Sequence, residues 1–211
     1  PDPAFPARIQ RGADFLDRLL EDEGVIYGVT TGYGDSVTRA VPPALVAELP
    51  LHLTRFHGCG LGADLSLEAG RAVLATRLCS LTQGVSGVSP ALLERLCWLL
   101  EQDLIPRIPE EGSVGASGDL TPLSYVAAVL VGERELYRNG ELVDAADLYA
   151  ELGVTPLILR PKEGLALMNG TSVMTALACL AYARTEYLMK LATRITALVS
   201  VAMEGNAFHF D

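Results

Sequence analysis

Residues 113 to 122 read Ser-Val-Gly-Ala-Ser-Gly-Asp-Leu-Thr-Pro, and Ala116-Ser117-Gly118 within them has the residue types needed to build an electrophile from the chain itself. Gly118 has no Cβ, so its backbone nitrogen can fold back onto the carbonyl carbon of Ala116 in a conformation that other residues resist. Ala116 adds little bulk at the carbon under attack. Loss of one water closes a five-membered ring. Loss of the Ser117 hydroxyl as a second water leaves an exocyclic methylene conjugated to that ring, a Michael acceptor that unmodified side chains lack. Gly112 and Gly115 give the tripeptide a mobile approach, and Asp119 with Thr121-Pro122 reads as the start of a helix whose free amides favour negative charge on the ring. The plainer reading of the same residues is a glycine-rich turn followed by a helix cap.

Two further segments decide between these readings: Tyr27-Gly-Val-Thr-Thr-Gly-Tyr-Gly34 upstream and Glu163-Gly-Leu-Ala-Leu-Met-Asn-Gly-Thr171 downstream. With Gly115-Ala-Ser-Gly-Asp-Leu-Thr-Pro-Leu123 they resemble, in order and approximate spacing, the aromatic amino acid ammonia-lyases and the related aminomutases. The resemblance runs from about Gly24 to Asp211 and matches roughly the N-terminal half of the family. It implies a mainly helical, all-α fold of the aspartase and fumarase type, assembled as a homotetramer. It also implies a 4-methylidene-imidazol-5-one formed from Ala116-Ser117-Gly118, with no external cofactor, acting on a small aromatic L-amino acid. Residues 1–211 would then be the electrophile-bearing portion of a longer chain, inactive alone, because a second tyrosine and other groups lie in the other half and on neighbouring subunits. A folded but inert module is the non-enzymatic alternative.

The resemblance also assigns roles. Tyr27 aligns with the catalytic base, and an ordinary tyrosine, with a pKa of about 10, needs nearby donors or helix N-termini to become a usable phenolate. Its plain alternative is a loop tyrosine packed on the core. Phe56-His57 falls where the family discriminates substrates: Phe56 would line an aromatic ring, and His57 would exchange a hydrogen bond with a phenol or imidazole. This slightly favours phenylalanine or tyrosine, with histidine close behind. Asn169 matches an asparagine near the electrophile, where its amide can bond a carboxylate and a ring oxygen; its alternative is capping the following helix, which Thr171 could do equally. Gly34 and Leu120 match pocket-lining positions. The implied reaction has the methylene capture the substrate amine and Tyr27 take the β-proton, releasing ammonia and a trans-α,β-unsaturated acid. Attack by the aromatic ring in place of the amine stays open, as does a 2,3-aminomutase that returns the ammonia to the β-carbon.

Bulk properties bound these readings. Half the residues are hydrophobic, enough for a sizeable core, and the net charge of −10 argues against nucleic acid or an anionic membrane surface as partner. The most apolar run, residues 173 to 183, is about half of what a bilayer requires. Cys59, Cys79, Cys97 and Cys179 show no metal-ligand spacing and are expected to be buried, reduced thiols; His52, His57 and His209 form no zinc motif. With no signal peptide, the cytoplasm is the expected compartment. The opening Pro1-Asp-Pro-Ala-Phe-Pro6 lacks an initiator Met and reads as a cloning remnant or the result of truncation.

Helical periodicity dominates. It predicts helices over residues 13–23 with Gly24 as C-cap, 43–59, 67–81, 90–102 with Ser89 as N-cap, 123–131, 147–152 and 162–168. A glycine-rich loop should cover Gly28 to Gly34 and expose Tyr27. Asn139-Gly140 predicts one β-hairpin between residues 135–138 and 141–143. An uninterrupted alanine-rich pattern from 171 to about 205 predicts a helix of about 45 to 50 Å, a beam of a bundle whose other members are absent.

Overall fold

The computed structural model describes residues 3–22 and 24–210. Nine α-helices account for most of these residues: α1 Phe5–Asp22, α2 Pro43–Val46, α3 Leu49–His57, α4 Leu67–Leu81, α5 Pro90–Glu101, α6 Leu120–Leu130, α7 Ala145–Leu152, α8 Glu163–Met168 and α9 Ser172–Ala202. No helix among the described residues is long and apolar enough to cross a membrane.

The core forms around α6, where every residue from Thr121 to Leu130 is buried. Such an all-round apolar segment must be covered on every side, and α3, α8, α9 and the short strand β2 (Ile105–Pro106) pack on it. Helix α4 packs on α5 and on the first turns of α9. These neighbours bring three chain segments to one place: the end of α3, the start of α6, and the junction between α8 and α9.

Local chemistry sets the helix ends. The Ser66 hydroxyl accepts from the Ala69 amide at 3.2 Å, and Ser89, followed by Pro90, accepts from the Leu92 amide. Helix α1 begins at Phe5, eight residues before the apolar periodicity suggested, and Phe5 packs against the main core. The expected end at Glu23 lies outside the described residues, while Gly24 has a φ of +67°.

Three expectations need correction. The helix predicted over 43–59 is two helices, because the Pro50 ring removes an amide donor and starts a new helix in its first turn. The β structure exceeds one hairpin. Strands β4 (Glu135–Arg138) and β5 (Glu141–Asp144) pair as predicted, but β2 (Ile105–Pro106) extends them, and β1 (Leu61–Asp64) pairs with β3 (Pro109–Glu111) in a second sheet. Arg107 ties the two sheets, donating to both Asp64 oxygens and to Glu135, while the Tyr137 hydroxyl donates to Asp64 at 2.7 Å. The cysteines are not buried: Cys59, Cys79 and Cys179 are exposed and Cys97 is half-buried.

Helix α9 is 31 residues long, about 46 Å at the usual rise. Only Ser172, Val173 and Ala176 are buried along it. Leu188, Met189, Ile195, Leu198 and Val201 stand exposed beyond the body of the fold.

Candidate functional site

The tripeptide ends a loop that runs from β3 into α6. Ala116 and Ser117 are exposed, whereas Asp119 is 6 % exposed. Asp119 occupies the N-cap position of α6 without capping it. Its carboxylate instead accepts from the Met174 amide at 2.9 Å, in the first turn of α9, and from the Ser113 hydroxyl at 3.2 Å. The cap of the long helix therefore comes from a residue 55 positions away, and neither Asn169 nor Thr171 supplies it. The Asp119 amide donates to the Gly170 carbonyl at 2.7 Å, drawing the loop and the α8–α9 junction together.

Gly118 sits at φ +85° against Gly170, and a Cβ there would run into the Gly170 carbonyl. Only glycine meets both conditions. The Asn169 amide donates to the Ser117 carbonyl oxygen at 2.5 Å. If the Gly118 nitrogen closes onto the Ala116 carbonyl carbon, this same oxygen becomes the ring carbonyl, so a donor is already placed where electron density must be withdrawn. The residues present fit the implied group on three counts: a left-handed glycine, an exposed serine and a donor on the correct oxygen.

Tyr27 lies on the loop between α1 and α2, 46 % exposed. Its hydroxyl oxygen accepts from the Gly34 amide at 2.9 Å, and a donor there stabilises negative charge on that oxygen. Tyr33 meets Tyr27 edge to face, with ring centroids 6.4 Å apart, and burial together with Tyr27 pushes its hydroxyl up to about 12. Tyr33 thus keeps its proton at neutral pH.

A cavity of about 190 Å³ joins these parts, lined by Tyr27, Tyr33, Gly34, His57, Ser117, Leu120 and Asn169, with Leu53 and Leu165 as its apolar floor. Every candidate pocket residue except Phe56 reaches it. Phe56 is 80 % exposed, meets the His57 ring edge at 5.1 Å between centroids, and is absent from the lining of this cavity. Residues 56 and 57 are adjacent on a helix, which turns them to different sides. His57 Nδ1 lies 3.0 Å from the Leu53 carbonyl, which can only accept. Nδ1 therefore carries hydrogen, and in the neutral ring Nε2 is left as an acceptor.

A second cavity, about 530 Å³, shares Tyr27, Leu165 and Asn169 with the first and is lined also by Arg77, Lys162, Ser172 and Thr175 among others. Arg77 is 4 % exposed, and burial lowers its guanidinium to about 10. It donates to the Ala166 and Asn169 carbonyls at the end of α8 and to the Ser172 hydroxyl, which fixes the turn that carries Asn169. Sequence reasoning missed Arg77, Lys162 and the reach of Asp119, because each acts across long separations. Tyr33 was within a recognised segment but was given no role.

The whole chain, 1–211, matches the aromatic amino acid lyase family. It is 43 % identical over 204 residues to the MIO-dependent tyrosine 2,3-aminomutase of Streptomyces globisporus, covering 97 % of this chain and 38 % of that protein. It is 38 % identical over 210 residues to the histidine ammonia-lyase of Bos taurus, covering 99 % of this chain and 32 % of the relative. The crystal structure of tyrosine aminomutase from Streptomyces globisporus superposes with a TM-score of 0.87 at 42 % identity, over 95 % of this chain and 37 % of that one. Histidine ammonia-lyase from Trypanosoma cruzi superposes at 0.86 with 34 % identity, over 97 % and 40 %. The chain thus spans about two fifths or less of the relatives it matches, and over that span it belongs to the aromatic amino acid lyase family.

Proposed function

We propose that the full-length protein carrying this chain is an ammonia-lyase for an aromatic L-amino acid, with Ala116, Ser117 and Gly118 as the source of a 4-methylidene-imidazol-5-one. The observation that carries the reading is the Asn169 hydrogen bond to the Ser117 carbonyl oxygen, beside a left-handed Gly118. When formed, that group supplies an electron-poor methylene for the substrate amine. Tyr27, assisted by the Gly34 amide, takes the β-proton at its phenolate oxygen. Leu53, Leu120 and Leu165 offer apolar surface to the aromatic ring, and Asn169 has a carbonyl oxygen left to orient the substrate amine. The uncovered apolar residues of α9 support its burial against the rest of the longer chain or neighbouring copies, and the assembly we propose is a homotetramer.

An aromatic 2,3-aminomutase is the second reading, favoured by the 43 % identity to a protein of that name. It uses the same residues and differs in what happens to ammonia. Product analysis of the full-length protein separates the two: free ammonia with an unsaturated acid for the lyase, a β-amino acid for the mutase. Neither product from phenylalanine, tyrosine or histidine would overturn both.

His57 carries a prediction about substrate choice. With Nε2 as an acceptor in the cavity, it suits a phenol hydroxyl or an imidazole N–H. His57→Leu is expected to shift relative kcat/KM toward phenylalanine by about tenfold to a hundredfold, as one lost buried hydrogen bond implies. An equal loss for all three amino acids would assign His57 to structure or common chemistry.

A further inference from the structure

Lys162 has no role in the reading above, yet its backbone and its charge are both unusual. It stands at the N-cap position of α8 with φ +80°, the left-handed region that a lysine enters only when its surroundings hold it there. Its ammonium donates to the Tyr27 carbonyl oxygen at 3.4 Å and lies 5.9 Å from the centroid of the Tyr27 ring. Burial lowers its affinity for a proton, and no carboxylate among the described residues pairs with it. The adjacent Glu163 is 2 % exposed and already committed, accepting from the Ser89 and Arg160 amides at 2.8 Å each.

The surroundings of Tyr27 are otherwise short of compensating charge. The titratable groups facing it are Tyr33 from its own loop, His57 at the end of α3, Arg77 of α4 and Lys162 at the start of α8. Neither cavity beside Tyr27 has an Asp or Glu in its lining. Arg77 is occupied by carbonyls and a hydroxyl of the α8–α9 junction. Lys162 is the cation aimed at the tyrosine.

We propose that Lys162 is a positioning residue for the reaction: its ammonium fixes the Tyr27 main chain and stabilises the phenolate form of the Tyr27 side chain. The proposal rests on Tyr27 being the base. A left-handed backbone suits the task, because it turns the side chain back from the start of α8 toward the loop that carries Tyr27. Glycine or asparagine would accept that backbone more readily, but neither brings a charge.

The test is the pH dependence of kcat/KM in the full-length protein, for wild type, Lys162→Gln, Lys162→Gly and Lys162→Arg. Lys162→Gly removes the charge at a left-handed backbone that glycine adopts freely, and a thermal melt checks its fold. The ammonium lies 5.9 Å from the ring centroid and farther from the phenolate oxygen, and a unit charge at such a distance in a partly exposed site shifts a titration by about one unit. The acid limb should therefore move up by that amount in the Gln and Gly variants and stay near its wild-type position in the Arg variant. Rates at high pH should change by less than about fivefold. An acid limb unmoved in both neutral variants, or moved equally in Lys162→Arg, overturns the proposal. The mass of the tripeptide region is measured on the same preparations. If wild type has lost no water there, the reading of the site fails, independently of Lys162.

Discussion

Ser117→Ala in the full-length protein is expected to abolish elimination, lowering kcat by at least about a thousandfold, while the folded state keeps its stability. The two halves of this expectation have separate causes. The methylene carbon of the electrophile derives from the Ser117 Cβ and forms only if a hydroxyl leaves, so alanine cannot supply it. The side chain is exposed on a loop, where substitutions away from special features stay within about 0.5 kcal/mol. The hydrogen bond from Asn169 goes to the Ser117 main chain and survives the change. Steady-state kinetics and a thermal melt on the same sample check both halves. Activity within tenfold of wild type would mean that the tripeptide is only a turn.

Tyr27→Phe is expected to lower kcat by about 10² to 10⁴, the usual contribution of a positioned general base. The loss should appear with the electrophile intact, because Tyr27 touches the tripeptide region only across the shared cavity and makes its own bonds to Gly34 and Lys162. The Gly34 amide left without its acceptor is exposed and turns to water, so stability should hold. A fall of less than about tenfold, with the electrophile present, would move the base to another residue.

Much of the helical frame was readable because its signals are local. Helix α4 lies at 67–81 as its periodicity indicates, α5 starts at Pro90 behind a serine cap, and Asn139-Gly140 makes the turn between β4 and β5. What the sequence hid depends on partners far away. Strands β1 and β3 have only four and three residues, with no alternating pattern, and they exist because they pair with each other across 45 to 50 positions of chain. The break before α3 falls at Pro50, inside a run whose apolar spacing looks continuous.

The candidate site divides in the same way. Tyr27, His57, Ser117 and Asn169 were found through motifs, and the fold brings all four to one cavity. Phe56 was assigned together with His57 through the resemblance, and on its helix it stands exposed, outside the lining of that cavity. Asp119 looked like a local cap, yet its carboxylate reaches α9, because an exposed loop and a buried helix end must share one acceptor. The thiols looked buried because their neighbours are apolar. Cys179 lies on a part of α9 that is exposed among the described residues.

The most direct test of the central claim is the mass of the peptide spanning residues 108–134, which cleavage after Arg107 and Arg134 releases. In the full-length protein, closing the ring and losing the Ser117 hydroxyl remove two waters, so this peptide should weigh about 36 Da less than its sequence. The Ser117→Ala peptide should be short by no more than one water, about 18 Da. A wild-type peptide at its full sequence mass, from protein that is active on an aromatic amino acid, would contradict the account.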